Sequence, residues 1–274
     1  MANILITGCS SGIGLETAKL LKDKGYKVYA TARKKEDVLM LQDLDFISYK
    51  LDVTNSVEIS EVLERILKLD KSLDAVFNNA GFGQPGAVED LSTKVLKEQF
   101  ETNFFGTHEL IFQAMKIFRN QGYGKIIQHS SVLGLISLKF RGAYNASKYA
   151  IEGLTDTFRQ ELLNHNGIFI STINTGPVTS KFRENALKMF NKNINAKDSY
   201  FRNTYEQELK SRLESKEDTT PFNLPASSVA KVVLKIMKAK KPKPRYYVTI
   251  ATYLLGFAKR VLSTNLLDKL LNKI

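Results

Sequence analysis

Cysteine is almost absent from this chain of 274 residues: Cys9 stands alone, which excludes an internal disulfide framework and suits a reducing cytoplasm. Histidine is scarce as well. His108, His129 and His165 have no metal-ligand spacing, so no metal site is expected. Long apolar runs are also missing. The longest suspicious stretch, Val248 to Ala258, is interrupted by threonines, followed by Lys259-Arg260, and falls short of the ~20 residues that cross a bilayer. Apolar Ile4-Leu5-Ile6 follows Met1 so closely that no cleavable leader is expected. Acids are outnumbered, with 28 Asp and Glu against 40 Lys and Arg, and the formal charge of +12 invites anionic partners. Zinc-finger, RNA-recognition and recognition-helix patterns do not accompany that charge, so nucleic acid is not an expected partner.

What is present is an alternation of short apolar runs with helix-period segments. Strands are expected at Ile4–Thr7, Lys27–Ala32, Phe46–Leu51, Leu73–Asn78, Gly124–Ser130 and Ile168–Asn174. Helices are expected at Leu15–Lys24, Ser56–Leu69, Ser92–Asn120, Tyr144–His165 and Ser227–Lys238, with a seventh strand at Tyr246–Ile250. This rhythm predicts an α/β fold: a Rossmann-like, doubly wound parallel sheet of about seven strands, with helices on both faces, in a single domain over residues 1–250.

Two segments depart from the rhythm. Residues 177–225 are helix-prone yet polar, with Phe182, Met189, Phe190, Tyr200, Phe201 and Tyr205 scattered through them. Their place beyond the sixth strand suits a substrate lid, the alternative being a helical hairpin that buries its own aromatics. Residues 251–274 read as an amphipathic helical tail, with Leu254, Phe257, Val261, Leu262, Leu266, Leu270 and Ile274 among lysines. Such a tail packs on the fold or a partner, or rests on a membrane surface.

The chemistry is concentrated in a few motifs. Thr7-Gly8-Cys9-Ser10-Ser11-Gly12-Ile13-Gly14 joins the first strand to the first helix. Its glycines let backbone N–H groups approach a phosphate, and the helix directs its positive end at the anion. At the end of the second strand, Thr31-Ala32-Arg33-Lys34-Lys35 holds no acid to meet a ribose 2′-hydroxyl. Arg33 instead offers a planar charged fork, with Ser10 able to add a hydroxyl, so NADP(H) is the expected cofactor. Asp52 and Val53 follow the third strand, where Asp52 suits an adenine amine. Asn78-Asn79-Ala80-Gly81 ends the fourth, and small residues there allow close cofactor approach. Tyr144 and Lys148 stand four apart on one helix face, with Ser131 thirteen residues before the tyrosine. A phenol titrates near 10 unperturbed, and a fixed ammonium beside it is expected to lower that value. Ser131 would hydrogen-bond a substrate oxygen while Tyr144 exchanges its proton, as hydride transfer to a carbonyl requires.

In this order and spacing, T-G-x-x-x-G-x-G at Thr7–Gly14, N-N-A-G at Asn78–Gly81, the serine Ser131 and the pair Tyr144/Lys148 resemble the short-chain dehydrogenase/reductase family. The resemblance covers roughly 180 residues and extends to NADP-dependent bacterial aldehyde reductases and, more distantly, to retinol and hydroxysteroid dehydrogenases. It implies reduction of an apolar aldehyde or ketone, reversible to alcohol oxidation. It adds Asn103, holding a helix kink and a water beside the lysine, to a relay with Ser131, Tyr144 and Lys148, and it gives Lys148 the nicotinamide ribose. It selects Ser131 over the neighbouring Ser130. After the sixth strand Thr175 stands where family members usually have proline, but Gly176 and Pro177 remain. Backbone at Val178 is then expected at the nicotinamide carboxamide, and Ser180 near the diphosphate. A homodimer or homotetramer through Ser92–Asn120 and Tyr144–His165 is the family's usual assembly. A retinol- or hydroxysteroid-type alcohol dehydrogenase and a non-catalytic NADP-binding sensor are the competing readings. The expected location is cytoplasmic, with peripheral contact of the tail at the inner face of a membrane as an option.

Overall fold

The computed structural model describes residues 1–165, 167–209, 213–214 and 222–273. The chain opens with β1 (Asn3–Ile6), α1 (Gly12–Asp23), β2 (Lys27–Ala32), α2 (Lys35–Asp43), β3 (Ile47–Lys50), α3 (Ser56–Asp70) and β4 (Ala75–Asn78). It continues through α4 (Thr93–Phe100), α5 (Gly106–Gln121), β5 (Gly124–Ser131), α6 (Gly142–Glu161) and β6 (Ile168–Thr175). Beyond these lie β7 (Val178–Thr179), α7 (Phe182–Asn193), the short α8 (Arg202–Thr204), β8 (Leu224–Pro225), α9 (Ser227–Lys238), β9 (Arg245–Tyr247), α10 (Ile250–Val261) and α11 (Thr264–Leu271). Seven strands form one sheet in the order β3-β2-β1-β4-β5-β6-β9, every pair parallel. The order reverses between β1 and β4, and the carboxyl ends of these two strands make the crevice where such sheets bind ligands.

Strand alternation divides the core. Ile4, Ile6, Phe77, Ile127 and Ile173 face α1 and α9, where they meet Leu21, Val229 and Val233. Leu5, Val76, Ile126 and Ile170 face the other way, onto Ile59 and Leu63 of α3 and Leu110 and Phe118 of α5. Parallel strands buried on both faces read as unbroken apolar runs, which is why they are recognisable in sequence.

Two expectations, the single helix over Ser92–Asn120 and the strand over Tyr246–Ile250, are corrected, and helix α2 and the division of the tail are added. Helix α2 carries no strong pattern because only Val38 and Leu41 of its nine residues are buried. The helix expected over Ser92–Asn120 is broken by a π-helical turn, Glu101–Phe105, between α4 and α5. The seventh strand ends at Tyr247, because the Thr249 side chain accepts from Thr252 N and caps a helix beginning at Ile250. The tail, finally, is two helices, α10 and α11, separated at Leu262-Ser263.

Candidate active site

Thr7, just after β1, laces the two central strands together. Its Oγ1 accepts from Asn79 N at 3.0 Å and Ala80 N at 2.9 Å, while Asn79 Nδ2 donates to Thr7 O at 2.9 Å and Gly8 O at 3.1 Å. The turn that follows depends on glycine at two positions of positive φ, Gly8 (72°) and Gly12 (55°). Gly14 is constrained by space: a Cβ there would lie 2.2 Å from Gly8 O. Ser11, the N-cap of α1, makes no capping bond and the first turn of the helix holds no acid, so its N–H groups and positive end are left for an anion. Ser10 and Ile13 complete this turn; Ile13 packs against the core, and Cys9 N donates to Thr31 O at 2.8 Å, tying the turn to β2. A Cβ on Gly12 would meet the Ser180 Cβ at 3.1 Å, which places Ser180 across the turn. This cradle fits a dinucleotide pyrophosphate. Cys9 itself is buried in the core, and burial pushes its thiol up to about 12.

The remaining residues expected at a cofactor follow the carboxyl ends of the neighbouring strands or lie in the loops beside them. Arg33 is exposed immediately beyond β2. Asp52 Oδ1 accepts from Thr54 N at 3.0 Å and Thr54 Oγ1 at 2.8 Å, and buried Val53 lies against Gly106 at the start of α5. Gly81 lies against Asn103, whose Oδ1 a Cβ on Gly81 would reach at 3.0 Å. Pro177 and Val178 lead from β6 into β7, which pairs with β8 through Val178–Leu224 and Thr179–Pro225. That pairing draws the two ends of the 177–225 segment together beside the crevice. Within the segment, Phe182 reaches Gly83 and stands edge-on to Tyr144, ring centroids 5.2 Å apart. Phe190, Ile194 and Tyr205 form a separate small core with Ala87, so the segment both buries its own aromatics and touches the site. Residues 210–212 and 215–221 of it lie outside the described residues.

The catalytic candidates meet at the carboxyl end of β5. Ser131, the last residue of that strand, donates to Thr175 O at 3.3 Å and accepts from Leu133 N at 3.1 Å. Asn103 lies in the π-helical turn, as a helix irregularity at a functional site often does. Its Oδ1 accepts from Phe82 N at 3.1 Å, and its Nδ2 donates to Phe82 O at 2.9 Å and Ser147 Oγ at 3.2 Å. Lys148 donates to His129 O at 2.6 Å and lies over the Tyr144 ring, 5.6 Å from its centroid. Burial raises the Tyr144 phenol to about 12, opposed by a hydrogen bond with Ser131 and by the charge of Arg141. The lowering expected from Lys148 is therefore not what this arrangement produces. An ammonium that is engaged with a backbone carbonyl and sits over the ring does not offset the loss of water at the hydroxyl. Burial lowers Lys148 in turn to about 8, opposed by Glu152.

Four residues of this site are not expected from the sequence. Glu152 extends the Tyr144–Lys148 face of α6 by one more turn. Its Oε1 accepts from Asn174 Nδ2 at 2.6 Å, and its Oε2 accepts from Arg245 Nη2 at 2.6 Å. Asp156 shares the same guanidinium at 2.9 Å, so an ion cluster with buried Glu152 at its centre and a half-exposed Asp156 at its edge lies one turn beyond Lys148. The i, i+4 spacing of 144, 148, 152 and 156 was the available signal for the acids, whereas Arg245 was hidden in a basic run. His129 is the fourth. Burial and the nearby Lys148 charge depress it to about 3, so it is neutral. Its Nδ1 lies 3.1 Å from Asn79 Oδ1 and its Nε2 3.3 Å from Thr175 Oγ1. Thr175, in the usual place of proline, also donates to Ser130 O at 3.3 Å and so braces the loop.

Comparison with known proteins agrees with this geometry. A family model described as short chain dehydrogenase matches residues 2–190, and the chain belongs to that family. It is accordingly an oxidoreductase with the family's nicotinamide-dinucleotide site. It is 36% identical over 270 residues to the uncharacterized oxidoreductase YbbO of Escherichia coli strain K12, covering 98% of this chain and 93% of that one. It is 28% identical over 283 residues to an NADPH-dependent 3-dehydrocapnine reductase of Ornithobacterium rhinotracheale, covering 100% and 97%. The fold is similar to the crystal structure of a short-chain dehydrogenase from Streptomyces avermitilis, with a TM-score of 0.76, 23% identity, and coverage of 99% and 94%.

The crowding at Gly14 leads to an expected result. Gly14→Ala should destabilise the protein by about 1–3 kcal/mol in urea unfolding, because backbone at Gly8 must give way. It should also abolish saturable quenching or enhancement of dinucleotide fluorescence. Titration like that of the unmodified chain would show that the turn does not hold the cofactor.

Proposed function

We propose that the chain is an NADP(H)-dependent reductase of an apolar aldehyde or ketone, running in reverse as an alcohol dehydrogenase. The observation that carries this reading is the convergence of Ser131, Tyr144 and Lys148 beside the glycine turn at the switch point of the sheet. The bound dinucleotide supplies the hydride in reduction and takes it up in oxidation. Ser131 turns its hydroxyl to the carbonyl oxygen, and Tyr144 delivers its proton to that oxygen. A phenol held near 12 is protonated at neutral pH, which suits reduction. Lys148, held by His129 O, stabilises the phenolate as it forms and reaches toward the cofactor ribose. Asn103 fixes the Phe82 backbone and Ser147, and so positions the turn beside Tyr144. An apolar substrate follows from the wall around Tyr144: Val132, Leu133, Leu138, Leu255, Leu262 and Phe182 exclude water there.

NADP(H) rather than NAD(H) follows from Arg33 and the lack of an acid at the end of β2, and the Ornithobacterium relative is NADPH-dependent by name. Arg33→Ala should raise the NADPH dissociation constant about 10- to 100-fold, the worth of hydrogen bonds to a charged group, and leave NADH nearly unchanged. Equal weakening of both would remove the 2′-phosphate role. The segment over 177–225 serves as the substrate lid, with Phe182 as its contact to Tyr144. The assembly is a homodimer or homotetramer through α5 and α6, where Ile111, Phe112, Met115, Leu154 and Phe158 line a groove of about 340 Å³. The location is cytoplasmic, with the tail in contact with the inner face of a membrane.

The test is NADPH consumption against a panel of aliphatic and aromatic aldehydes and ketones, with NADP⁺ reduction against retinoid and steroid alcohols in parallel. Turnover of apolar carbonyls is expected. Oxidation confined to the alcohols would favour the retinol- or hydroxysteroid-type reading, and NADPH binding without any turnover would favour a sensor.

A further inference from the structure

We propose that α10 and α11 form a docking face for anionic lipid, and that the same two helices wall the catalytic pocket, so that substrate enters from the membrane side. The docking face stands on surface chemistry alone, whereas the route of entry rests on the oxidoreductase reading given above.

Both helices are apolar on two sides. Inward, Leu267 and Leu271 are buried against Val132, Leu133 and Ile136, with Leu255, Ala258, Leu262 and Tyr144 in the same cluster. Outward, Ile250, Tyr253, Leu254, Phe257 and Val261 recur at helical spacing along α10 and are 56–65% exposed. Leu266 and Leu270 continue this outer apolar surface on α11. Scattered exposed leucines are ordinary, but a continuous stripe on the side of a helix away from its core is a surface that something covers.

Charge decides what covers it. Lys259 and Arg260 end α10, and Lys269 and Lys273 flank Leu266 and Leu270, while Asp268 is the single acid between Ile250 and Lys273. None of the four basic residues has an ion-pair partner among the described residues. A second copy meeting this face about a two-fold axis would set like charge on like charge. Anionic headgroups meet both features, because acyl chains accept the stripe while phosphates accept the lysines and arginine. No helix of the described residues is long and apolar enough to cross a bilayer, so the two helices lie in the interface.

Flotation of the full chain with vesicles of phosphatidylcholine containing phosphatidylglycerol, and with phosphatidylcholine alone, tests this. The full chain should float with the anionic vesicles and be released by high salt. The double variant Leu254→Ser, Phe257→Ser, whose side chains point away from the catalytic cluster, should lose about tenfold or more of the bound fraction. Its turnover of a water-soluble aldehyde should be unchanged. A chain that stays in solution with anionic vesicles, or variants that float equally well, would overturn the proposal. So would a change in sedimenting mass on making the double substitution, since the face would then be a subunit contact. Flotation without any carbonyl turnover would uphold the docking face and remove the carbonyl-reductase reading on which the route of entry rests; turnover without flotation would do the reverse.

Discussion

Tyr144→Phe should lower kcat for carbonyl reduction by about 10²–10⁴-fold, the range for removing a positioned proton donor, while the dissociation constant for NADPH stays within a factor of about two. The ring and its packing against Phe182 survive the change, and only the hydroxyl is lost. The measurement is a steady-state assay beside a fluorescence titration. A variant that turns over at the original rate would show that Tyr144 is not the proton donor. The unmodified enzyme should show a pH profile set by its neighbour. Burial depresses Lys148 to about 8, so its charged form is present below that pH and lost above it. Reduction should therefore hold up to about pH 8 and decline beyond. Tyr144, raised to about 12, stays protonated across this window and does not contribute to the decline.

Glu152→Ala has the largest expected effect on stability. The change leaves Arg245 with Asp156 alone and leaves the buried Asn174 amide without its carboxylate acceptor. Breaking one side of a buried ion pair costs about 3–5 kcal/mol, and the partial exposure of Arg245 and its remaining partner reduce the expectation to about 2–4 kcal/mol in urea unfolding. Catalysis should respond as well. Glu152 opposes the depression of Lys148, so removing its charge lowers that lysine further and moves the alkaline decline of activity to lower pH. Glu152→Gln separates the two roles: it keeps an acceptor for Asn174 and loses less stability, yet shifts the pH profile in the same direction. An unshifted profile in both variants would restrict Glu152 to a structural part.

Much of this was legible before any coordinates. The two central strands are short buried apolar runs, and Ile4-Leu5-Ile6 and Ala75-Val76-Phe77 carry their identity within a few residues. The glycine turn is legible because positive φ at Gly8 and Gly12 favours glycine, and a Cβ at Gly14 would run into Gly8 O. Helix α2 was not legible, because two buried residues do not make a period. The π-helical turn at Asn103 was not directly legible either, because it follows from a carboxamide reaching Phe82 across space.

Taken alone, the order of residues determined the sheet, the phosphate-binding turn and the serine, tyrosine and lysine with their helix spacing, because these depend on local periodicity and backbone freedom. Tertiary structure decided the electrostatics. His129 O takes the lysine ammonium, Glu152 and Arg245 come together from positions far apart in the chain, and the phenol is raised rather than lowered. Tertiary structure also decided that the tail turns one apolar side to Tyr144 and leaves another in water. Desolvation and charge pairing depend on which groups share a volume, and separation along the chain does not specify that.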